Sequence, residues 1–172
     1  TLALFPSYHL MGAVFQKVWE EIKFPLLMVR KNSQDIIRQF RQIQNAVLFA
    51  AGSCWEGMDF PGDMVSSLII ARLPFPVPDP ISEAEQKKYP SLQDYIKTVV
   101  LPDMQVKLRQ GFGRAIRTET DTCVVGILDY RALPGRRYHQ AALDALPSMP
   151  ITGKIGDVEK FIRAKKSPEY FK

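Results

Sequence analysis

Short apolar runs alternate with helix-period segments over the first fifty residues, and no other feature constrains the fold as much. Leu2–Phe5 is wholly apolar and stops at Pro6, and Leu26–Val29 and Ala46–Ala50 repeat the pattern. Such brief apolar runs, bounded by turn formers, suit strands buried on both faces of a parallel sheet. Between the first two, Tyr8 to about Lys23 carries Leu10, Met11, Val14, Val18 and Ile22 at helical spacing, with Ser7 placed to cap. Gln34 to about Gln44, preceded by Ser33 as cap, does the same through Ile36, Ile37, Phe40 and Ile43. A β-α-β-α-β order argues for an α/β domain with a mostly parallel sheet flanked by helices. Ligands of such sheets bind beyond the carboxyl ends of the strands, so function is expected in the segments that follow them.

Farther on, Val65–Leu73 reads as a fourth strand and Cys123–Leu128 as a fifth. Asp129 and Arg131 follow the fifth, where they either line the ligand cleft or close the strand end. The prolines at 74, 76, 78 and 80 forbid a helix and favour a stiff, extended connection. Ile81–Tyr89 reads as a short polar helix. A longer helical stretch, capped by Ser91, runs from Leu92 through Arg117, with Pro102 as its one candidate break. Tyr138–Leu146 and Asp157–Lys165 are the last helices, with Met149–Ile151 extended between them.

The chain has 172 residues and a formal net charge of +5, which permits a polyanionic partner without requiring one. Cys54 and Cys123 lack metal-ligand spacing and read as reduced thiols of a cytoplasmic protein. His9 and His139 are isolated, which suits structural or surface roles. No apolar run approaches the roughly 18–20 residues that span a bilayer, and no signal peptide is present. An opening strand without an initiator methionine suggests a domain from a longer protein.

Gln105–Arg117 carries the densest chemistry. Read as a helix, it places Gln110, Arg114 and Arg117 on one face, with Val106, Phe112 and Ile116 as core anchors. Gly111 and Gly113 each cost a helix about 1 kcal/mol relative to alanine, so close approach of a backbone or a ligand is expected there. Guanidinium groups bind phosphate oxygens through paired hydrogen bonds and stay charged at any working pH. Two arginines could grip a terminal phosphate while Gln110 positions a water or a phosphate oxygen. The competing reading is a solvated cationic face.

The loop after the third strand, Ala51–Asp63, weighs against that simpler reading. Its glycines Gly57 and Gly62 suit positions where a side chain would clash, and Glu56 and Asp59 bring carboxylates to the ligand edge. Trp55 and Phe60 are read as core plugs.

Together these residues resemble the second RecA-like domain of a superfamily 2 helicase. Arg109-Gln-Gly-Phe-Gly-Arg-Ala-Ile-Arg117 is similar to motif VI, Gln-x-x-Gly-Arg-x-x-Arg, and Ser53–Gly62 to motif V as the DinG/XPD branch has it. Leu4-Phe-Pro-Ser-Tyr8 resembles motif IV. The proline-rich Leu73–Pro80 and Leu143-Asp-Ala-Leu-Pro147 point to bacterial DinG-type helicases.

The resemblance implies a three-layer RecA-like domain over residues 1–172, with the connection and helix at about 74–104 belonging to it. By the same resemblance Arg114 and Arg117 reach the γ-phosphate of ATP, Gln110 and Gly113 lie near the nucleotide, and Gly57 and Asp59 couple nucleotide to nucleic acid. Ser7, Tyr8 and Ser53 would touch the backbone of single-stranded or forked DNA, moved with 5′-to-3′ polarity.

The chain has no Gly-x-x-x-x-Gly-Lys-Ser/Thr loop, no Asp-Glu-x-His box and no four-cysteine iron–sulfur set. In the family, ATP and Mg²⁺ are held mainly by the preceding N-terminal RecA-like domain, so this chain alone is expected to be inactive. Two rivals remain on sequence grounds: a stand-alone polyanion-binding module and a non-hydrolysing helicase-like scaffold.

Overall fold

A computed structural model describes residues 1–30, 34–57, 60, 64–118 and 121–171. Five strands, β1 (Leu2–Phe5), β2 (Leu26–Met28), β3 (Val47–Ala51), β4 (Ser67–Ile70) and β5 (Val124–Ile127), form one sheet in the order β2-β3-β1-β4-β5. Every pairing is parallel, with Leu2 opposite Leu48 on one side and Leu68 on the other. The α/β expectation holds, and the apolar runs are continuous because a parallel strand is covered on both faces.

The strand order dictates the layers. From β1 the chain steps past β3 to β2, and every later connection steps the opposite way. Right-handed crossovers therefore put the first helix on one face and the later ones on the other. Helix α1 (Tyr8–Val18) packs on the face of Ala3, Phe5, Phe49 and Ala51. The opposite face, with Leu2, Leu4, Leu48, Leu68 and Ile70, takes α2 (Gln34–Gln42), α3 (Cys54–Gly57), α6 (Leu101–Phe112) and α7 (His139–Asp144). Leu2, Leu4, Leu48 and Leu68 are fully buried, each contributing about 1.5–3 kcal/mol.

Several boundaries move inward. Helix α1 ends at Val18 rather than Lys23, β2, β4 and β5 shorten, β3 shifts by one residue, and β1 stands as expected. The Ser33 cap lies outside the described residues. Helix α4 (Pro80–Gln86) starts with a capping box in which Asp79 and Ser82 satisfy each other's amides. From Leu92 the chain stays helical through α5 (Leu92–Tyr95), a π-helical turn at Ile96–Val100 and α6. Pro102 does not break it. The wider π turn, in which the Leu101 N–H reaches the Ile96 carbonyl, directly precedes the proline at the start of α6. Met149–Ile151 forms no strand, and α8 (Ile155–Lys165) is the last α-helix. No described helix is long and apolar enough to cross a membrane.

Candidate functional site

An all-parallel sheet gathers its carboxyl ends on one edge, and the order found here sends the chain to opposite faces after β1 and after β3. The crevice between those two strand ends is where a ligand is expected. Ser7 follows β1 and caps α1, its Oγ accepting the Leu10 N–H at 3.2 Å. Tyr8 opens the helix, 38% exposed. Its ring lies against Gly52, which leaves β3 at φ +64°; a Cβ there would stand 3.0 Å from the Tyr8 hydroxyl. Ser53 comes next and is exposed. The structure thus brings Ser7, Tyr8 and Ser53 to one exposed edge.

The segment expected to form a loop begins as helix α3, with Trp55 wholly buried. The core-plug readings of Trp55 and Phe60 hold. The Trp55 indole N–H donates to the Phe5 carbonyl at 2.9 Å. Its ring fills the space beside Gly111, where an added Cβ would meet ring carbons at 2.7 and 2.8 Å and the Leu4 side chain at 3.2 Å. Close approach therefore explains Gly111. Gly113 is different: a Cβ there would find only carbonyl oxygens at 3.5 Å, an ordinary contact. Gly57 closes α3; Asp59 and Gly62 lie outside the described residues.

The expected continuous helix through Arg117 is corrected. Helix α6 ends at Phe112, and residues 113–115 are a turn held by Arg114 N–H to Gly111 and Ala115 N–H to Phe112. Two weak helix formers at 111 and 113 locate the stop. Gln110 and Arg114 stay together because the Arg114 Nε donates to the Gln110 carbonyl at 3.2 Å. Arg117 stands beyond the turn and is exposed, so it does not share one helix face with Gln110 and Arg114. Val106 is corrected too: it is 51% exposed, and Met104 and Leu108 anchor α6 instead. Phe112 is buried and Ile116 packs against the same core.

Asp121 fixes the backbone around Arg117, accepting the Arg117 and Thr118 amides at 2.9 and 3.0 Å. Those amides hold its carboxyl below the usual range. Sequence reasoning missed this residue; its signal was a short acidic side chain in the polar run after Arg117, the kind that caps backbone amides in turns.

Asp129 and Arg131 close the end of β5. Asp129 accepts the Leu73 N–H at 2.9 Å, the Arg131 N–H at 3.0 Å and the Arg131 Nη2 at 2.7 Å. Burial pushes its carboxyl up, but the Arg131 side chain and the two amides outweigh burial and hold it at about 2. The Arg131 guanidinium also stacks over Phe75 at 4.7 Å. This pair pins the proline-rich connection to the sheet. His139, read as structural, bonds the Ala132 carbonyl through Nδ1 at 2.8 Å.

The guanidinium groups at 114 and 117 suit phosphate oxygens and, being donors only, cannot coordinate Mg²⁺. Among the described residues no group of histidine, cysteine or carboxylate side chains is arranged to hold a metal ion.

Comparison with known proteins agrees with the fold. The family described as the helicase C-terminal domain matches residues 1–149. The chain is 34% identical over 163 residues to the ATP-dependent DNA helicase YoaA of Haemophilus influenzae, covering 92% of this chain and 25% of that protein. It is 32% identical over 177 residues to the 3′-5′ exonuclease DinG of Bacillus subtilis, covering 96% of this chain and 19% of the relative. A solved XPD helicase superposes with a TM-score of 0.66 at 24% identity, over 87% of this chain and 28% of that one, a likeness of fold. The chain therefore spans 25% and 19% of the length of these two curated relatives. On the family match and the RecA-like parallel sheet together, this chain belongs to the helicase C-terminal domain family, beside DinG- and YoaA-type helicases.

Proposed function

We propose that this chain is the second motor domain of an ATP-dependent DNA helicase and completes an ATP site shared with an N-terminal RecA-like domain of the same protein. One observation carries the reading: Trp55 and Gly111 join the edge bearing Ser7, Tyr8 and Ser53 to the end of α6 bearing Gln110 and Arg114. A motor needs that adjacency, because hydrolysis must be felt where the strand is held.

In this reading Arg114 and Arg117 act as arginine fingers on the γ-phosphate. A guanidinium that stabilises charge on the transferring phosphoryl group is worth on the order of 10³–10⁵ in rate. Gln110 orients the attacking water or a phosphate oxygen, and Gly113, beside Arg114, lies near the nucleotide. Asp121 is a positioning residue, since it holds the Arg117 backbone rather than the substrate. Mg²⁺ would be held mainly by the N-terminal domain, where it would supply neutralisation of phosphate charge.

Ser7, Tyr8 and Ser53 contact single-stranded or forked DNA through its phosphates, which makes binding independent of sequence and sensitive to salt. Gly57 and Asp59 link the two ligands. Closure on ATP and reopening after hydrolysis then move the domains 5′-to-3′ along one strand.

The test is ATP hydrolysis by the full-length protein with and without a single-stranded oligonucleotide, beside the isolated chain. Hydrolysis that the oligonucleotide stimulates, absent from the isolated chain, supports the shared site. No hydrolysis by the full-length protein under either condition contradicts it.

A further inference from the structure

Trp55 touches three chain segments that the proposed motor must keep in register. Its backbone belongs to α3, directly after Ser53 and Cys54. The indole N–H holds the carbonyl of Phe5, the last residue of β1, just ahead of Ser7 and Tyr8. The ring meets Gly111, next to Gln110, through Cε3 and Cζ3, so closely that a methyl cannot enter unless something shifts. All of this is dry: Trp55 is 0% exposed, Leu4 0% and Gly111 buried.

Packed interiors behave as close-fitting solids, so a displaced side chain moves its neighbours rather than filling slack. The floor of the contact is stiff as well. Gly52 sits at positive φ under the Tyr8 ring, and the Trp55 backbone N–H donates to the Gly52 carbonyl at 3.2 Å. A shift of Tyr8 or Ser53 is therefore passed to the α3 turn, to the indole and to the α6 backbone at Gly111.

Resting on the motor reading above, we propose that Trp55, seated on Gly111, is the positioning residue through which the Ser7–Tyr8–Ser53 edge sets the placement of Gln110 and Arg114. It touches neither nucleotide nor DNA. Its role is to make occupancy of one edge felt at the other. The hydrogen bond fixes the ring plane and the glycine supplies the seat, so both halves of the contact are required.

The experiment uses the full-length protein and reads turnover with saturating single-stranded oligonucleotide divided by turnover without it. Two single substitutions perturb the contact from opposite sides. Trp55→Phe removes the indole N–H and leaves a smaller ring; Gly111→Ala drives a methyl into the indole. The double variant Trp55→Leu with Gly111→Ala returns the space. Each single substitution is expected to cut the stimulation ratio at least about fivefold, the lower range of measured couplings between sites. Oligonucleotide affinity and the KM for ATP should change less than the ratio does. The double variant, which restores the space but not the indole hydrogen bond, is expected to regain thermal stability lost by Gly111→Ala without regaining the ratio.

Stimulation at the parent level in both single variants overturns the proposal, leaving the motor reading intact. So does a parallel fall of stimulated and unstimulated turnover together with thermal stability, because a purely structural residue would do that. A parent that shows no stimulated hydrolysis removes the motor reading, and the proposal goes with it.

Discussion

Replacing Asp129 by asparagine tests the physical account of the fold where its magnitude can be worked out. The carboxylate sits at the end of β5 with its side chain 3% exposed, against an Arg131 guanidinium that is 33% exposed. It accepts two backbone amides and the guanidinium. These partners lower its pKa from 3.8 to about 2. At about 1.4 kcal/mol per unit, the ionised form stabilises the native state by about 2 kcal/mol. The folded pKa lies below the unfolded one, so this stability is present above the unfolded value and is lost as pH falls through the folded value. Linkage leaves about half of the increment at a pH of about 3 and almost all of it at about 5.

The asparagine side chain keeps the shape but carries no charge, and its NH₂ group faces donors. Urea unfolding followed by circular dichroism should therefore show Asp129→Asn destabilised by about 2 kcal/mol at a pH of about 7, with the two chains converging as pH approaches about 2. A difference that stays constant across that range would refute the assignment of the effect to the carboxylate charge. A variant as stable as its parent at neutral pH would refute the strand-end closure itself.

Two other outcomes follow from the same structure. Gly52→Ala forces a left-handed backbone on an L-residue and pushes a methyl against Tyr8, so it should cost about 1–2 kcal/mol or more by chemical denaturation. A cost near zero would mean that the turn below Tyr8 is not held at positive φ. The buried Cys54 thiol, its pKa raised by burial, should react with an aromatic disulfide only as the domain unfolds, while the half-buried Cys123 reacts in the native state. Equal labelling rates in native buffer would contradict the packing of α3.

Much of this architecture was legible because short apolar runs and helix-period segments have few other uses. Leu2–Phe5, apolar throughout and closed by Pro6, read as a buried parallel strand, and Ser7 followed by a periodic apolar face announced α1. What pattern alone could not give was the strand order, which rests on long-range pairing such as Leu2 with both Leu48 and Leu68. The helix stop at Phe112 was hidden because the arginines beyond it keep a helical spacing in sequence while the backbone has already turned. Gly111 and Gly113 look alike in the sequence. Only the position of Trp55, distant along the chain, separates the one that needs to be glycine for packing from the one that does not.

Asp129 and Arg131 were visible as a strand-end pair, but their partner, the Leu73 amide, belongs to another strand's exit and leaves no local signal. Asp59, named from sequence, lies outside the described residues, and its role in linking nucleotide to DNA remains a proposal.

The most direct test of the shared-site account is oligonucleotide-stimulated ATP hydrolysis by the full-length protein carrying Arg117→Ala, with ATP binding measured in parallel. The account predicts turnover reduced by about 10³-fold or more, with nucleotide still bound by the protein. Turnover at the parent rate would contradict the placement of Arg117 on the transferring phosphate.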